Sequence, residues 1–347
     1  MTMINPNFPE NVVSAPLNDR AMVAERSRSH IWRHERPFNS YSNYIKERFG
    51  ARIQKISLNG GFSCPNRDGR VGVGGCAFCN NDAFITAYCT AEHGIDRQIA
   101  DGKVFMMRRY RKARQFFAYF QAYTNTYTSI ERLKELFTQV LADPEIIGVI
   151  VGTRPDCIDD EKLEFFAEMA QTHYVVLEYG VESIYNKTLQ RINRGHTYEQ
   201  SVAAIEKTAA YGIHAGAHII LGLPDETPDE MLAMATEISR LPLHSLKLHQ
   251  LQIVKNTAFA EEYERSPQNF KLFSAEEYIP FVAEFVSRLS PDIKIERFAG
   301  DSPVRVRIAP VWEGVKYETF VQLLEEYMMR NELWQGKNLF CALTLKK

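Results

Sequence analysis

The chain of 347 residues has no apolar run approaching the roughly 20 residues that a bilayer-crossing helix needs, so nothing in it predicts a membrane span. Its opening, MTMINPNFPENVVSAPLNDR, lacks the positive-then-apolar layout of a secretory leader. Cysteine is scarce, six in all, which argues against a disulfide framework; a reducing compartment, the cytoplasm, is expected. An excess of either charge is also missing. With 41 Lys and Arg against 43 Asp and Glu, the net charge of −2 gives no general pull toward nucleic acid, so RNA recognition needs a local patch. Internal repeats and low-complexity tracts are absent. What is present is ordinary for a globular chain: 45% hydrophobic and 24% charged residues, at a length where α/β barrels commonly form one domain.

Three of the cysteines fall in one stretch, Asn59 to Asn80, NGGFSCPNRDGRVGVGGCAFCN. Cys64, Cys76 and Cys79 have the spacing C-x11-C-x2-C, among glycines that let a backbone curl closely around a bound group. Two cysteines two apart grip one metal centre from a tight turn, and the third arrives across the loop. The count of three is informative. A structural zinc site closes with four ligands, whereas an iron–sulfur cube on three cysteines keeps one iron open for a substrate or cofactor. Buried thiols, disulfides, or a zinc loop borrowing a distant histidine such as His93 are the alternatives. Spacing, glycines and Phe78 between the last two cysteines favour iron–sulfur.

Residues 1 to about 35 read as a loosely ordered polar tail, followed by a short helix from Ser40 to Phe49 that Gly50 stops. The alternating run at 53–58 predicts a strand feeding the cysteine loop. A helix is expected over 95–115 and a strand over 116–123. Helices opening at Thr128, Asp159, Thr197, Thr227 and Ser274 then alternate with strands at 146–153, 173–180, 213–222 and 245–254. Such alternation implies parallel βαβ units. Six strands and a late one near 293–298 predict an open, partial barrel, with chemistry at the C-terminal strand ends, where the cysteine loop begins. The expected organisation is a tail at 1–37, a barrel at 38–290 with its loop at 59–80, and a C-terminal extension at 291–347 packed on the barrel.

The cysteine motif, with an aromatic residue before its last cysteine, resembles that of the radical S-adenosylmethionine (radical SAM) enzymes, although C-x3-C-x2-C is the commonest spacing there. Its longer CPNRDG…GGC-x-FC form resembles the YhcC-type branch, related to the elongator catalytic subunit that modifies tRNA wobble uridine. YFQAYTNTY at 119–127, GTRPDC at 152–157, RINRGH at 191–196, HIILGLPDET at 218–227 and RIAPVW at 307–312 support that branch. The resemblance runs over roughly residues 38 to 345. It implies a partial (β/α)6 TIM-like barrel with short N- and C-terminal extensions. It also implies a [4Fe–4S] cluster on Cys64, Cys76 and Cys79, with SAM on the open iron. Reductive cleavage of SAM would then yield a 5′-deoxyadenosyl radical that takes hydrogen from substrate, fed by a donor such as flavodoxin or ferredoxin.

Within that resemblance Phe78 packs near the adenine or simply shapes the loop, and Gln121 and Thr124 are candidates for the methionyl group of SAM. Thr153 and Arg154 follow the third strand, the arginine suited to a bidentate carboxylate pair. Glu178 accepts from ribose hydroxyls or forms a structural ion pair; Glu182 reads as a solvated loop residue. His214 and His218 share one strand face, Lys247 and His249 another; Lys247, His249 and His218 are the candidate catalytic groups, a satisfied core histidine being the alternative. Arg191, Arg194 and His196 read as a polar, mobile loop that contacts phosphate or orders the barrel top. Arg108, Arg109, Arg111, Lys112 and Arg114 form the best RNA-binding patch or else an exposed basic helix face, with Arg297, Arg305 and Arg307 a weaker cluster. Cys89, Cys157 and Cys341 are expected to be buried thiols. The expected function is a radical SAM enzyme with tRNA as substrate. A small-molecule or protein substrate is the alternative, because little length follows residue 300 for the acyltransferase domain of elongator subunits. A non-enzymatic zinc- or cluster-bearing redox protein is the reading from another class.

Overall fold

The computed structural model describes residues 30–81, 85–86, 88–90 and 92–339; the expectations for residues 1–29 and Cys341 lie outside them. Helix α1 (Tyr41–Phe49) leads into β1 (Gln54–Leu58), α2 (Ile95–Arg109), β2 (Phe116–Phe120), α3 (Ile130–Leu141) and β3 (Ile146–Thr153). Next come α4 (Asp160–Ala170), β4 (Tyr174–Glu182), α5 (Asn186–Arg191), α6 (Tyr198–Ala210), β5 (His214–Leu221), α7 (Pro228–Ile238) and β6 (Ser245–Gln250). The chain ends with β7 (Ile253–Val254), α8 (Ala258–Arg265), α9 (Ala275–Ser287), β8 (Lys294–Arg297), β9 (Arg307–Ala309) and α10 (Tyr317–Arg330). Seven strands form one parallel sheet in the order β1-β2-β3-β4-β5-β6-β8. The open barrel expected from the alternation is the fold found, and the late strand joins it as the seventh. Among the described residues no helix is long and apolar enough to cross a membrane.

Capping boxes open α6 at Thr197 and Gln200, α7 at Thr227 and Glu230, and α9 at Ser274 and Glu277. Several boundaries differ from the sequence expectation; β2, expected over 116–123, ends at Phe120, and β4, expected over 173–180, runs to Glu182. Ser129, not Thr128, caps α3. Helix α2 stops at Arg109, because the chain turns through 110–113 to enter β2. Strand β6 stops at Gln250, after which Ile253 and Val254 pair with β9 instead. Residues 30–37 are not a loose tail: Trp32 is buried, with its indole donating to the Arg36 carbonyl at 3.0 Å.

Strand alternation sorts the two faces. On β4, Val175, Leu177, Tyr179 and Val181 enter the large core under the helices, while Tyr174 and Val176 belong to a smaller cluster inside the barrel. Helix α1 plugs that inner end with Tyr41 and Ile45. One step further along the strands the interior turns ionic. Lys247 Nζ lies 2.8 and 2.7 Å from the two Glu178 oxygens, 3.0 Å from the Tyr119 hydroxyl and 3.3 Å from Glu296 Oε1. Lys55 Nζ lies 2.6 Å from Glu296 Oε1 and 3.5 Å from Glu178 Oε1. Glu178 on β4 reaches Lys247 on β6 across β5; its β5 neighbour is Gly216, where a Cβ would stand 3.1 Å from Glu178 Cγ, while Lys247 is beside His218. On the open side, the Lys55–Glu296 pair links the two outer strands, and a bridge from Ser40, just before α1, to Ile295 ties that helix to β8.

Removing one partner from a buried pair typically costs about 3–5 kcal/mol, because the other charge stays behind. Lys247→Met is expected to lose about that much at neutral pH. Burial works against the charge on Glu178, but the ammoniums of Lys247 and Lys55 outweigh it and hold the carboxyl well below its usual range. The folded value therefore lies below the unfolded one. This stabilisation is present above about pH 4.3 and fades as pH falls through the folded value. Thermal unfolding of both proteins should show their stability gap holding from about pH 7 to about pH 4.3 and narrowing below that. A gap that is absent at neutral pH, or constant on acidification, contradicts the assignment.

Candidate active site

At the C-terminal strand ends lies a cavity of about 270 Å³, lined at its mouth by Cys64, Cys76 and Cys79. The loop that carries them is held by its own backbone: Arg67 N–H donates to Cys64 O at 2.8 Å, Gly75 N–H to Asn66 O at 2.8 Å, and Cys79 N–H to Cys76 O at 2.9 Å. Ala77 N–H reaches Ile192 O at 2.9 Å, docking the loop on the segment after β4. Three N–H donors then point at sulfur. Arg194 Nη1 is 3.4 Å and Asn66 Nδ2 3.6 Å from Cys76 Sγ, and Arg67 Nη2 is 3.8 Å from Cys79 Sγ. Donors of this kind suit sulfur that carries negative charge, as a cluster ligand does. As a free thiol Cys79 is unreactive: burial and the neighbouring Cys76 push it up to about 11, against the pull of Arg67 and Arg194. Among the described residues, no three Cys, His, Asp or Glu side chains are arranged to ligate one ion. His93, the histidine considered for a zinc loop, lines a different depression beside Asn59 and Gln98.

The ionic layer described above meets the cavity through Glu178, which lines it; Lys247, Lys55 and Glu296 are behind it. His218 Nε2 lies 3.2 Å from Glu178 Oε2, so both Glu178 oxygens are engaged and the residue fixes Lys247 and His218 in place. His218 and His249 line the wall with ring centroids 5.7 Å apart. Lys247 is buried beneath them. His214, further down the same strand face, stacks on His244 at 3.9 Å and is remote from the mouth.

The other sequence candidates converge on the same cavity. Phe78, Gln121, Thr124, Thr153, Arg154 and Glu178 all line it. Gln121 is exposed at the end of β2. Thr153 Oγ1 is 2.6 Å from Thr126 Oγ1, which itself donates to Cys157 O, so the Thr153 hydroxyl donates inward and retains acceptor capacity. Arg154 does make a bidentate carboxylate pair, but with Asp156 of its own chain, at 2.8 Å to each oxygen. Its remaining donor holds the Arg194 carbonyl at 2.7 Å.

Two sequence expectations are corrected. Glu182 is not solvated: it is buried, 3.7 Å from Arg194 Nη2, and burial raises its carboxyl despite that guanidinium. The RINRGH segment is not a mobile loop, since Arg194 and His196 are buried and Arg191 pairs with Glu262 at 2.5 Å. Arg194 donates to Gly180 O at 2.6 Å, tying the cysteine loop to the end of β4. The basic run Arg108 to Arg114 is exposed but precedes β2, at the strand end opposite the cavity. Sequence reasoning missed Asn66 and Arg67 as sulfur partners; their position directly after Cys64 and Pro65 was the available signal. Cys89 and Cys157 are buried, as expected.

A family model described as the Radical SAM superfamily matches residues 64–238, and one described as the Radical_SAM C-terminal domain matches 243–330. The chain is similar to protein YhcC of Escherichia coli, with 32% identity over 286 residues covering 82% of this chain and 90% of that protein. It is 25% identical over 190 residues to a tRNA uridine(34) acetyltransferase of Methanocaldococcus infernus, covering 54% of this chain but only 34% of the relative. Among solved structures, Methanocaldococcus infernus Elp3 with an N-terminal deletion aligns with TM-score 0.60 at 16% identity, over 82% of this chain and 64% of that one.

Arg194→Met removes the guanidinium that joins Cys76, Gly180 and Glu182, and is expected to destabilise the chain by about 3 kcal/mol. Thermal unfolding and iron retained through anaerobic gel filtration should both fall. An unchanged midpoint with unchanged iron would show that Arg194 holds nothing together.

Proposed function

This chain belongs to the radical SAM superfamily, and from that premise we propose that its cluster sits on Cys64, Cys76 and Cys79 and that the cavity behind them holds SAM and the atom that loses hydrogen. Enzymes of this superfamily use a [4Fe–4S] cluster and SAM. Cys64, Cys76 and Cys79 would hold such a cluster with one iron left for SAM, and the group would supply the electron for reductive cleavage of the sulfonium. The protein's own residues do the rest. Asn66, Arg67 and Arg194 donate to the ligand sulfurs, which orients them and tunes their electron density. Gln121, Thr124 and Thr153 present polar groups for SAM from the ends of β2 and β3, and Phe78 walls the mouth. Glu178 positions His218 and pairs with the buried Lys247 behind it, so that Glu178, His218 and His249 form a fixed polar surface in the cavity. The electron comes from a flavodoxin- or ferredoxin-like donor.

The observation that carries this reading is that three thiols of one loop, two of them backed by N–H donors, line one cavity at the strand ends of an open parallel barrel. Anaerobic reconstitution with iron and sulfide, then dithionite and SAM, is expected to yield 5′-deoxyadenosine. Cys79→Ala is expected to fall to background. No product from the wild type, or equal product from the variant, contradicts the proposal.

RNA is the second reading, favoured by the 190-residue similarity to a tRNA uridine(34) acetyltransferase. The basic run at 108–114 does not serve it, being at the far end of the barrel. Nearer the cysteines, Arg67 lies over the Tyr123 ring and Arg70 over Tyr127, pairs of the kind that single-stranded nucleic acid stacks against. On this reading Arg70→Ala weakens retardation of bulk tRNA at low salt, and added salt weakens it further. Absence of any tRNA shift in the wild type removes RNA and leaves a small-molecule or protein substrate.

A further inference from the structure

Of the guanidiniums lining the cavity, Arg67 is bonded to the Cys79 carbonyl, Arg154 to Asp156, and Arg194 to Gly180 and Glu182. Arg297, at the end of β8, is different. It is half-buried in the cavity wall and makes no hydrogen bond or ion pair with any described residue. Beside it on β6, His249 also lines the cavity, and its Nε2 is buried without a hydrogen-bond partner. A buried polar atom left unpaired is costly, and a half-desolvated cation without an acceptor adds to that cost. Both are relieved by one ligand group that accepts hydrogen bonds and carries negative charge.

The wall around this pair is rigid. Gln250 and Gln252 both donate to Gly300 O, at 3.3 and 3.2 Å; Gly300 N–H donates back to Gln250 at 2.7 Å, and Ser302 N–H to Gln252 at 3.1 Å. Glycine at 300 keeps the space open, since a Cβ there would stand 3.2 Å from His249 Nδ1. Beneath, two lysines and two glutamates balance one another, so the floor neither repels nor replaces an incoming anion. Asp301 also lines the cavity, but it is exposed. Burial, with Arg297, His218 and Lys247 nearby, holds the His249 imidazole well below its usual range. It is therefore neutral, with one N–H to donate.

We propose that Arg297 and His249 form an anion subsite in the cavity, which takes a carboxylate or phosphate group of the substrate. The inference rests on the proposed function only in assigning the cavity to the substrate. It names the substrate class as one carrying an anionic group, and it makes Arg297 a specificity-determining residue.

Isothermal titration of the anaerobically prepared full chain, carrying its cluster, with acetate and separately with inorganic phosphate tests this. Saturable binding of at least one is expected, and the arm that binds distinguishes a carboxylate from a phosphate. Arg297→Gln is expected to weaken it by about tenfold or more. Arg297→Lys, which keeps the charge should the glutamine variant misfold, is expected to lose only several-fold. Binding of neither anion by the wild type, or equal binding by both variants, overturns the proposal. Displacement of the anion by saturating SAM overturns it too, by assigning the pair to the cosubstrate's own carboxylate. The titration reads the anion whether or not the chain cleaves SAM. A chain that makes no 5′-deoxyadenosine but binds the anion loses the proposed function alone, and the converse loses the subsite alone.

Discussion

The arrangement of this barrel depends on the contact between Lys247 and Glu178 and on the second pair, Lys55 and Glu296, beside it. These four side chains come from the first, fourth, sixth and last strands of the sheet, and they meet where a closed barrel would have only packed side chains. The outer strands β1 and β8 share no backbone ladder. A side-chain ion pair and the helix α1 plug span the gap instead. Magnitudes explain what such a layer does. Replacing a whole buried ionic cluster with apolar groups is often neutral or even stabilising, whereas removing a single member is costly. Its value here is therefore geometric: it fixes four strands in relation to each other and gives the cavity a polar floor.

The mouth follows a different logic. There the backbone holds the cysteine loop, and N–H donors reach the sulfurs from two sources: the loop itself, through Asn66 and Arg67, and the segment after β4, through Arg194. Arg154 extends this second source by holding the Arg194 carbonyl while paired to Asp156. Floor and mouth are thus built separately, one by balanced charge across strands and the other by donors aimed at sulfur. The cavity between them has Arg297 and the His249 Nε2 on its β6–β8 wall without partners among the described residues.

Much of this was legible in the sequence because it depends on neighbours in the chain. The cysteine spacing, the capping boxes at Thr197, Thr227 and Ser274, and the alternation of strand and helix are all local patterns. What escaped depends on pairs far apart in sequence. Lys55 and Glu296 are 241 positions apart, and Glu178 and Lys247 are 69 apart, on strands that are not neighbours in the sheet. Glu182 read as solvated because its partner, Arg194, comes from a segment whose burial no periodicity reveals. The basic run at 108–114 had the right composition for an RNA surface, but composition cannot say at which end of a barrel a turn lies.

The central claim is that the three mouth thiols hold a cluster with one iron left for SAM. Electron paramagnetic resonance of the reduced, anaerobically prepared chain tests it most directly. The account predicts a reduced-cluster signal that changes shape when SAM is added and is lost when Cys64, Cys76 and Cys79 are together replaced by alanine. A chain that gives no such signal and carries only zinc, or one whose signal survives the triple replacement, contradicts it.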